Sequence, residues 1–512
     1  MNRPAEKAGH PGTVSLVGAG PGDPGLLTVK GLSRLQRADL VLYDGLVNPL
    51  LLRHTGATCE RTSRSDTSSG RRLQQDEINR RLIDAAKQGR TVVRLKGGDP
   101  FIFGRGGEEA AALREAGVPF EVVPGVTAAT AAGAYAGITL THREFASQVT
   151  FVTGHEDPGK QHPAVDYRLL AELRGTLVFY MGLHRLEAIA ESLIAHGKPA
   201  DTPCCVISRA TTPGQQIVDA PLAGVAAASR AADLHAPSLF VVGEAVNRRA
   251  ALSWFERLPL IGKRIGITRP AQQADSAVAR CLELGADPVL MPTIEIAPPD
   301  DWSDVDAVLK RLGEFDWLVF TSANGVEFLL DRLWETGGDA RQLGSANIAC
   351  IGPATANRLE RYHLRADVIP DEFRAEALAD ALRPHVAGRR VLWARASRGR
   401  DVLPEALTAA GAKFEQVVVY RNGDVDALPL EQRRQIERGE LDWIGLSSPS
   451  IARSLNRLLG DSALDASVRF ASISPVTSAA AREAELPVCA EATDYTWDGL
   501  IAAIVREESE TG

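Results

Sequence analysis

Short apolar runs that end in glycine-rich or hydroxyl-rich turns recur along the whole chain, and residues with helical spacing follow most of them. In the first half these runs begin near residues 13, 39, 92, 120, 149, 175, 204 and 238. In the second half they begin near residues 264, 317, 348, 390, 414, 443 and 469. Short strands that alternate with helices are typical of βαβ units. The pattern therefore predicts an α/β fold throughout.

The third of these runs ends in the most glycine-rich turn of the first half. It continues into Gly97-Gly98-Asp99-Pro100, and a second glycine cluster surrounds Arg105 before a helix opens at Glu108. Ligands bind at the carboxyl ends of parallel strands, and glycines let backbone amides approach them closely. A packed turn without a ligand is the alternative for any one such motif. Two glycine clusters around one arginine favour a ligand site.

The turns after the neighbouring runs narrow the kind of ligand. Pro21 and Pro24 interrupt what would otherwise resemble a dinucleotide fingerprint, and proline supplies no amide hydrogen for a pyrophosphate, so we exclude NAD binding. The second run ends at Asp44, where an aspartate caps a helix or turn about as often as it acts chemically. Thr127 and Ala128 stand at a later turn of the same kind.

Composition excludes several classes of protein. A formal charge of −8 and a pI of about 5.8 argue against non-specific binding to nucleic acid or to an anionic membrane. The six cysteines show no CxxC and no metal-ligand spacing with the histidines, so we expect reduced thiols, no metal and a cytoplasmic protein. No apolar run approaches the ~20 residues of a membrane span. Residues 1–12 indicate a disordered leader rather than a signal peptide.

The chain is long enough for several domains, and its two halves differ in pattern. In the second half, residues 316–325 are echoed by residues 442–450, and residues 349–356 by residues 471–478. The echo predicts two similar α/β lobes whose hydroxyl-rich loops face each other across a cleft. We predict domains at 13–250 and 262–505, joined by a linker at 251–261 and followed by a disordered tail at 506–512.

Seven motifs in one order give the first half a specific resemblance. They lie at residues 17–24, 41–44, 93–108, 124–128, 140–143, 152–155 and 178–182, and together they closely resemble uroporphyrinogen-III C-methyltransferase. The resemblance implies a two-lobed tetrapyrrole methylase that transfers methyl groups from S-adenosylmethionine to C2 and C7 of uroporphyrinogen III, giving precorrin-2. It also implies a homodimer through this half. The implied cofactor contacts are Pro21, Gly97, Gly98, Asp99, Ile102, Thr127, Ala128, Met181 and Ala210.

The same resemblance implies roles in the chemistry. Methylating a pyrrole carbon needs positioning and one base, and Asp44 matches the family's proposed base while Arg105 matches a substrate-facing arginine. The family also carries a lysine, proposed as proton donor, in a region that here contains no lysine and only Arg64 to supply the charge. Ala210 stands where the family has glycine. Without the resemblance, Met181 would be interpreted as core filler.

Six shorter motifs, at residues 267–270, 320–325, 351–355, 419–421, 447–448 and 475–477, resemble uroporphyrinogen-III synthase. Such an enzyme closes linear hydroxymethylbilane to uroporphyrinogen III without a cofactor. The resemblance implies that Tyr420 assists loss of the hydroxyl and that Thr355, Ser448 and Thr477 hold substrate carboxylates. The alternative is structural, because a tyrosine at a strand end is usually core and hydroxyl residues after a strand usually cap helices. Ser474 replaces a family glycine.

The two halves fit one pathway, since the product of the second is the substrate of the first. We therefore expect a bifunctional enzyme of the sirohaem or cobalamin route that acts on small-molecule tetrapyrroles. Arg269, Arg395 and Arg398 are candidates for pairing with the substrate's carboxylates. Two alternatives stay open: a methyltransferase joined to a tetrapyrrole-binding module without turnover, and a later precorrin or cobalt-precorrin methylase.

Overall fold

The computed structural model describes residues 12–62, 75–155, 165–399, 401–460, 465 and 467–511. This part of the chain separates into two compact units. One runs to Lys263 and includes Cys281–Asp287, and the other comprises Arg264–Arg280 and the residues from Pro288 onward. Strands and helices alternate in both, which confirms the predicted α/β class. Among the helices of the described ranges, none combines the length and apolar character that crossing a bilayer requires.

The first unit opens with one parallel sheet. Its strands are β1 (Val14–Gly18), β2 (Leu40–Tyr43), β3 (Thr58–Arg61), β4 (Val92–Lys96) and β5 (Phe120–Val123). The helices are α1 (Val29–Gln36), α2 (Gln75–Lys87), α3 (Gly106–Glu115) and α4 (Ala128–Ala136). The strand order is β3-β2-β4-β1-β5, and all four pairs of neighbouring strands are parallel. β1 and β4 are buried at all five positions, as central strands covered on both faces must be.

The same unit continues with a mixed sheet. Its strands are β6 (Val149–Thr153), β7 (Thr176–Tyr180), β8 (Pro203–Ser208), β9 (Gln216–Pro221) and β10 (Ser238–Val242). The helices are α5 (Tyr167–Glu172), α6 (Leu186–Ala195), α7 (Val225–Ala231) and α8 (Arg249–Leu252). The order is β6-β7-β10-β8-β9, with β6 parallel to β7 and antiparallel pairs elsewhere. Two sheets in one unit give the two-lobed first half that was predicted.

The segment after α8 is a folded part of the first unit rather than the linker predicted at 251–261. Nε1 of Trp254 donates a hydrogen bond to the carbonyl oxygen of Ala134 at 3.0 Å. The rings of Trp254 and Phe255 pack against Tyr135, with centroid separations of 5.2 and 4.9 Å. Aromatic rings bury a large apolar area when they pack against a helix. This contact orders the segment, and the spacing of residues in the sequence cannot reveal it.

In the part of the second unit that the structure describes there are ten strands. They are β11 (Arg264–Ile267), β12 (Asp287–Leu290), β13 (Ile294–Ala297), β14 (Trp317–Phe320), β15 (Asn347–Cys350), β16 (Arg390–Ala396), β17 (Lys413–Asp424), β18 (Trp443–Leu446), β19 (Arg469–Ser472) and β20 (Val488–Glu491). The helices are α9 (Asp275–Glu283), α10 (Ser303–Leu309), α11 (Ala323–Glu335), α12 (Pro353–Leu359), α13 (Ala375–Leu382), α14 (Val402–Ala409), α15 (Leu430–Glu437), α16 (Pro449–Leu459), α17 (Pro475–Glu483) and α18 (Trp497–Thr511).

These strands form two sheets, and one lobe is inserted into the other. The split lobe has the order β12-β11-β18-β19-β20, which is the 2-1-3-4-5 order of flavodoxin-like folds. The inserted lobe has the order β15-β14-β16-β17-β13, in which the first four strands repeat 2-1-3-4 and β13 closes the edge antiparallel to β17. The prediction of two flavodoxin-like lobes is confirmed. The insertion was not predicted.

The last residues of the second unit differ from the prediction made for them. Residues 506–511 belong to α18, not to the predicted disordered tail. Glu508 anchors this last part of the helix, because its Oε1 accepts a hydrogen bond from Nε1 of Trp443 at 2.8 Å and also pairs with Arg469. A run of glutamates indicates solvated chain when only composition is considered, and the partners that order it lie some forty and sixty-five residues away.

Glu121 generates a prediction about pH. Its carboxylate joins β5 to α1 and β1 through contacts with Arg34, Lys30 at 2.8 Å and Ser15 at 2.9 Å. Hydrogen bonding from Arg34 is the largest cause that lowers its pKa to about 2. Because this value lies below the ~4.3 of an unfolded glutamate, the contribution to stability is full above about pH 5 and is lost as pH falls towards 2.

We therefore expect Glu121→Gln to destabilise the first unit near pH 7 and to differ less from wild type as the pH is lowered. Thermal unfolding between pH 3 and 7 measures this difference. Glu115→Gln is the control, since Glu115 is exposed at the end of α3 and has no ion pair among the described residues. A destabilisation by Glu121→Gln that stays constant across the range would contradict the assignment.

Candidate functional site

Three loops of the first unit meet backbone to backbone at the carboxyl ends of β1, β4 and β5. The amides of Gly20 and Gly98 donate to each other's carbonyl oxygens, at 3.3 and 2.8 Å. A Cβ on Gly125 would lie 2.3 Å from the carbonyl oxygen of Gly98, and Gly98 itself has a φ of +70°. Glycine is required at both positions, by close approach in one case and by the left-handed backbone in the other.

A cavity of about 520 Å³ opens beside these loops. Its volume falls in the range of roughly 300–1,000 Å³ that is usual for small-molecule sites. All nine residues that the resemblance assigned to the cofactor line it: Pro21, Gly97, Gly98, Asp99, Ile102, Thr127, Ala128, Met181 and Ala210. The lining also contains residues that sequence reasoning did not assign, including Leu46, Phe103, His155, Tyr180, His184 and Pro237.

The carboxylate of Asp99 binds backbone amides in the wall of the cavity. Its Oδ1 accepts hydrogen bonds from the amides of Phe101 at 2.8 Å and Ile102 at 3.2 Å. Its Oδ2 accepts from the amide of Gly125 at 3.0 Å, which ties the β4 loop to the loop before α4. The side chain therefore fixes the shape of two loops that line the cavity.

Tyr180, at the end of β7, organises the start of α4. Its hydroxyl lies 2.7 Å from Oγ1 of Thr127 and accepts a hydrogen bond from the amide of Ala129 at 3.0 Å. Burial raises its pKa, so the hydroxyl keeps its proton in the neutral range. The ring of Phe103 approaches to 4.9 Å between centroids. Tyr180 lies in the motif at residues 178–182, but sequence reasoning assigned no role to its hydroxyl.

Large apolar side chains stay exposed at this cavity. Met181 is 52% exposed and has a φ of +57°, so it is a wall residue and not core filler. Left-handed backbone at a residue other than glycine is strained, and such positions cluster at functional sites. Leu46, Ile102 and Phe103 also line the cavity with exposed side chains. An apolar exposed patch of this kind indicates a binding surface.

Asp44 and Arg105 lie beside the cavity without belonging to its lining. The carboxylate of Asp44 accepts hydrogen bonds from the amides of Leu46 at 3.0 Å and Gly97 at 3.1 Å, both of which are lining residues. Arg105 makes a two-pronged ion pair with Glu108, at 2.8 and 2.7 Å, and this pair raises the pKa of the guanidinium. Arg64 lies outside the described residues, with the rest of residues 63–74.

A buried ion cluster supports the loop after β4. Glu109 has no exposed surface, and its carboxylate lies 3.0 Å from both Nε of Arg94 and Nζ of Lys96. Nε2 of Gln75 adds a third hydrogen bond at 3.2 Å. Burial, and next the charge of Arg94, lowers the pKa of Lys96. The cluster joins α2, β4 and α3 directly below the glycine-rich turn.

Among the described residues of the second unit, four helices begin three residues after the end of the preceding strand: α11, α12, α16 and α17. Serine side chains cap three of these helices. Ser322, Ser448 and Ser474 accept hydrogen bonds from amides in the first turns of α11, α16 and α17, at 3.0, 3.2 and 3.3 Å. Thr355 and Thr477 are buried within the first turns of α12 and α17. Of the three predicted hydroxyl residues, Ser448 therefore caps a helix, as the structural alternative has it, whereas Thr355 and Thr477 lie inside the first turns. Ser474 caps α17 where the family has glycine.

Tyr420 is a core residue, only 5% exposed, which is the structural alternative that the sequence left open. Its ring stacks on Phe328, with a centroid separation of 5.6 Å. Its hydroxyl lies 3.0 Å from Oγ of Ser322, the cap of α11. The predicted catalytic hydroxyl thus contacts a helix cap, and any direct role in the reaction stays a prediction.

Two family models match the chain. The model for tetrapyrrole (corrin/porphyrin) methylases matches residues 13–226, and the model for uroporphyrinogen-III synthase HemD matches residues 275–502. Each model covers one of the two halves that differ in sequence pattern.

Curated relatives and a solved structure show the same likeness. Porphyrin biosynthesis protein HemD of Ruminiclostridium josui is 36% identical over 86% of this chain and 87% of its own length. Uroporphyrinogen-III C-methyltransferase of Bacillus subtilis (strain 168) is 38% identical over 70% of this chain and 74% of its own length. Uroporphyrin-III C-methyl transferase of Thermus thermophilus, complexed with S-adenyl homocysteine, is 41% identical over 46% of this chain and 99% of that chain, with a TM-score of 0.40.

Siroheme synthases also match, but over a shorter part. The chain spans about half the length of these relatives, for example 53% of the siroheme synthase of Pseudomonas fluorescens (strain SBW25) at 50% identity.

The buried cluster generates a prediction about stability. Glu109→Gln leaves Arg94 and Lys96 buried without a counter-charge, so we expect a loss of about 3–5 kcal/mol in the local stability of the β4–α3 region. Hydrogen exchange followed by mass spectrometry on peptides from residues 92–115 measures it. Glu108→Gln is the matched control, since its pair with Arg105 is exposed and its loss costs about 1 kcal/mol at most. Equal exchange in both variants would refute the assigned role of Glu109.

Proposed function

This chain belongs to the tetrapyrrole methylases through its first half and to the HemD uroporphyrinogen-III synthases through its second, and we propose from this premise which two reactions it performs. It is an enzyme of tetrapyrrole biosynthesis. The second unit closes hydroxymethylbilane to uroporphyrinogen III. The first unit methylates that product at C2 and C7 with S-adenosylmethionine to give precorrin-2, a precursor of sirohaem and cobalamin.

The observation that carries the proposal is the shared cavity of the nine predicted cofactor residues. They come from five separate loops, after β1, β4, β5, β7 and β8, so their convergence is a property of the fold and not of any one motif. The glycines leave backbone close to the cavity, and the wall beside them is largely apolar. The adenosyl group and the methionine chain of the donor fit such a lining, in which a few backbone groups fix orientation.

The residues of the chain also fit the substrate and the proton that must leave it. S-Adenosylmethionine supplies an electrophilic methyl group on sulfur. The exposed Leu46, Ile102, Phe103 and Met181 offer an apolar surface to one face of the macrocycle and keep water from the reacting carbon. As the new C–C bond forms, the pyrrole system must lose a proton. Asp44 is the base that we propose, because two backbone amides fix its carboxylate at the cavity edge.

For the second unit we propose that helix starts hold the substrate's carboxylates. The first amides of a helix and its dipole favour anions, and several helices here begin directly after parallel strands. Thr355, Ser448 and Thr477 contribute through the turns that they build. Tyr420 acts through Ser322, whose position sets the start of α11. A homodimer through the first unit and a cytoplasmic location stay predictions.

The decisive experiment supplies the whole chain with hydroxymethylbilane, with and without S-adenosylmethionine. Without S-adenosylmethionine we expect isomer III above the spontaneous isomer I background. With S-adenosylmethionine we expect a product that carries two added methyl groups. Isomer I alone would indicate that the second unit binds tetrapyrroles without turnover. Methylation at other positions would indicate a later precorrin methylase. The cofactor site has a separate test, because calorimetry that detects no binding of S-adenosylhomocysteine would refute it.

The role of Asp44 has its own test. Asp44→Asn keeps the shape of the side chain but removes the base, so we expect methylation to fall by about 100-fold while ring closure by the same chain is unchanged. Asp84→Asn, on the exposed side of α2, serves as the control. Methylation at the wild-type rate in Asp44→Asn would remove this residue from the mechanism.

A further inference from the structure

A substrate with eight carboxylates requires cationic partners, and the sequence offers three arginines of the second unit for that role. They are Arg269, Arg395 and Arg398. The structure separates them by what each guanidinium already binds. The inference drawn from this separation rests on the proposed synthase function.

Arg395 is committed to the inserted lobe. It is 8% exposed, and its guanidinium donates to Oδ1 of Asp401 and Oε1 of Gln416, both at 2.9 Å. It also donates to the carbonyl oxygen of Gly399 at 3.2 Å and lies 4.4 Å from the ring centroid of Trp393. Its donors are therefore used for packing, and a ligand carboxylate would have to displace them.

Arg398 is likewise paired within the protein. Its Nη1 lies 3.1 Å from Oδ2 of Asp424, and Oδ1 of the same carboxylate accepts a hydrogen bond from Ser454 at 2.8 Å. The ion pair is partly exposed, and a second anion near Arg398 would also meet the charge of Asp424. Arg398 is thus a weaker candidate for a substrate carboxylate.

Arg269 differs from both. It is half-buried, and within the described residues its guanidinium makes neither a hydrogen bond nor an ion pair. Burial lowers its pKa, and no neighbouring carboxylate opposes this effect. A cation that leaves water without a partner costs stability, and an anionic ligand would offset that cost.

The position of Arg269 brings it to the edge where the helix starts lie. It follows β11, which is parallel to β18, and β18 is in turn parallel to β19. Ser448 and Ser474 follow the ends of β18 and β19 and cap the helices after them. The preceding Thr268 is fully buried and donates to the carbonyl oxygen of Gly445 at 2.5 Å, which fixes the strand end. Arg269 therefore projects from a rigid part of the split lobe.

The loop after Arg269 also reaches the inserted lobe. Nε2 of Gln273 donates to Oδ1 of Asn324 at 3.1 Å, and Asn324 lies in the first turn of α11. That turn is the one that Ser322 caps and Tyr420 contacts. The loop that carries Arg269 thus connects the helix starts of both lobes.

We propose that Arg269 binds a carboxylate side chain of the linear tetrapyrrole where the split lobe meets the inserted lobe. In this role it orients the open chain between the helix starts of the two lobes. It binds substrate and takes no part in bond making, so its loss weakens binding far more than it slows turnover.

The test measures isomer III formation by the whole chain as a function of hydroxymethylbilane concentration. Arg269→Gln is expected to raise KM about tenfold, which corresponds to ~1.4 kcal/mol for one charge-assisted contact, and to change kcat less than threefold. Arg269→Lys keeps the charge and should recover part of the affinity. The unfolding temperature of Arg269→Gln should not be lower than that of wild type, because the substitution removes no hydrogen bond or ion pair within the protein.

Arg482→Gln is the matched control. Arg482 lies in the last turn of α17, at the opposite end from Ser474, is exposed, and has no side-chain partner in the described part of the chain. Its replacement removes the same charge and should leave KM unchanged. A wild-type KM in Arg269→Gln, or a rise in KM that Arg482→Gln reproduces, would overturn the proposal. So would loss of thermal stability in both Arg269 variants, since that indicates a structural role.

Failure of the synthase proposal has a different signature. A wild-type chain that forms only isomer I refutes the reaction and not the carboxylate site. Titration with uroporphyrin III, followed by its fluorescence, then tests Arg269 alone. Weaker binding by Arg269→Gln than by wild type supports the site, and equal dissociation constants refute it.

Discussion

A carboxylate with no access to solvent underlies the cavity of the first unit. Glu109 gathers Arg94, Lys96 and Gln75 at one point, so the helix before β4, the strand itself and the helix after it are held together below the glycine-rich turn. Two cations against one carboxylate leave an excess of positive charge in the interior. Asp44 also acts on Lys96, in the sense that favours its charge. The proposed base therefore lies next to the strand that this cluster fixes, and it accepts a hydrogen bond from the amide of Gly97, the residue after Lys96.

Rigidity at this point matters because the cavity is built from backbone. Asp99 bonds to three amides, and Gly20 and Gly98 bond to each other, so little of the wall depends on freely rotating side chains. A site of this kind is already shaped before its ligand arrives, and less ordering entropy is lost on binding. The exposed apolar residues at the cavity supply the adaptable part of the surface.

The nine residues that the sequence assigned to one ligand all line one cavity, whereas other lining residues were not assigned, and the difference has a physical reason. Glycines and prolines at strand ends restrict the backbone locally, and a wall made of backbone is therefore legible in short motifs. Tyr180 and Phe103 lie within the motifs at residues 178–182 and 93–108, but they contribute through side chains that meet across the fold, and no local pattern reveals that contact. The same limit explains Tyr420, which is a core residue at a strand end, and the helical end of α18, which depends on Trp443 and Arg469.

Element types were predictable where apolar runs are long and buried, and edge strands such as β3, β9, β13 and β20 were missed because they are short and partly exposed. The topology of the second unit was hidden for another reason. Its echo marks β14 with β18 and β15 with β19, but similarity between strands does not say which sheet each one joins. Only the pairings reveal that one lobe interrupts the other.

That interruption has a consequence for biosynthesis on the ribosome. The strands of the inserted lobe are contiguous in sequence, so this lobe can fold as soon as residue 424 has emerged. The split lobe is discontinuous: β11 must wait for β18, its central neighbour, until about 175 further residues have been translated. In the meantime the edge of β11 that pairs with β18 in the native sheet has no partner. An unpaired strand edge in a nascent chain is prone to aggregate. The split lobe therefore stays incomplete for longer during translation than the inserted lobe, and it is the part of this unit that most needs chaperones.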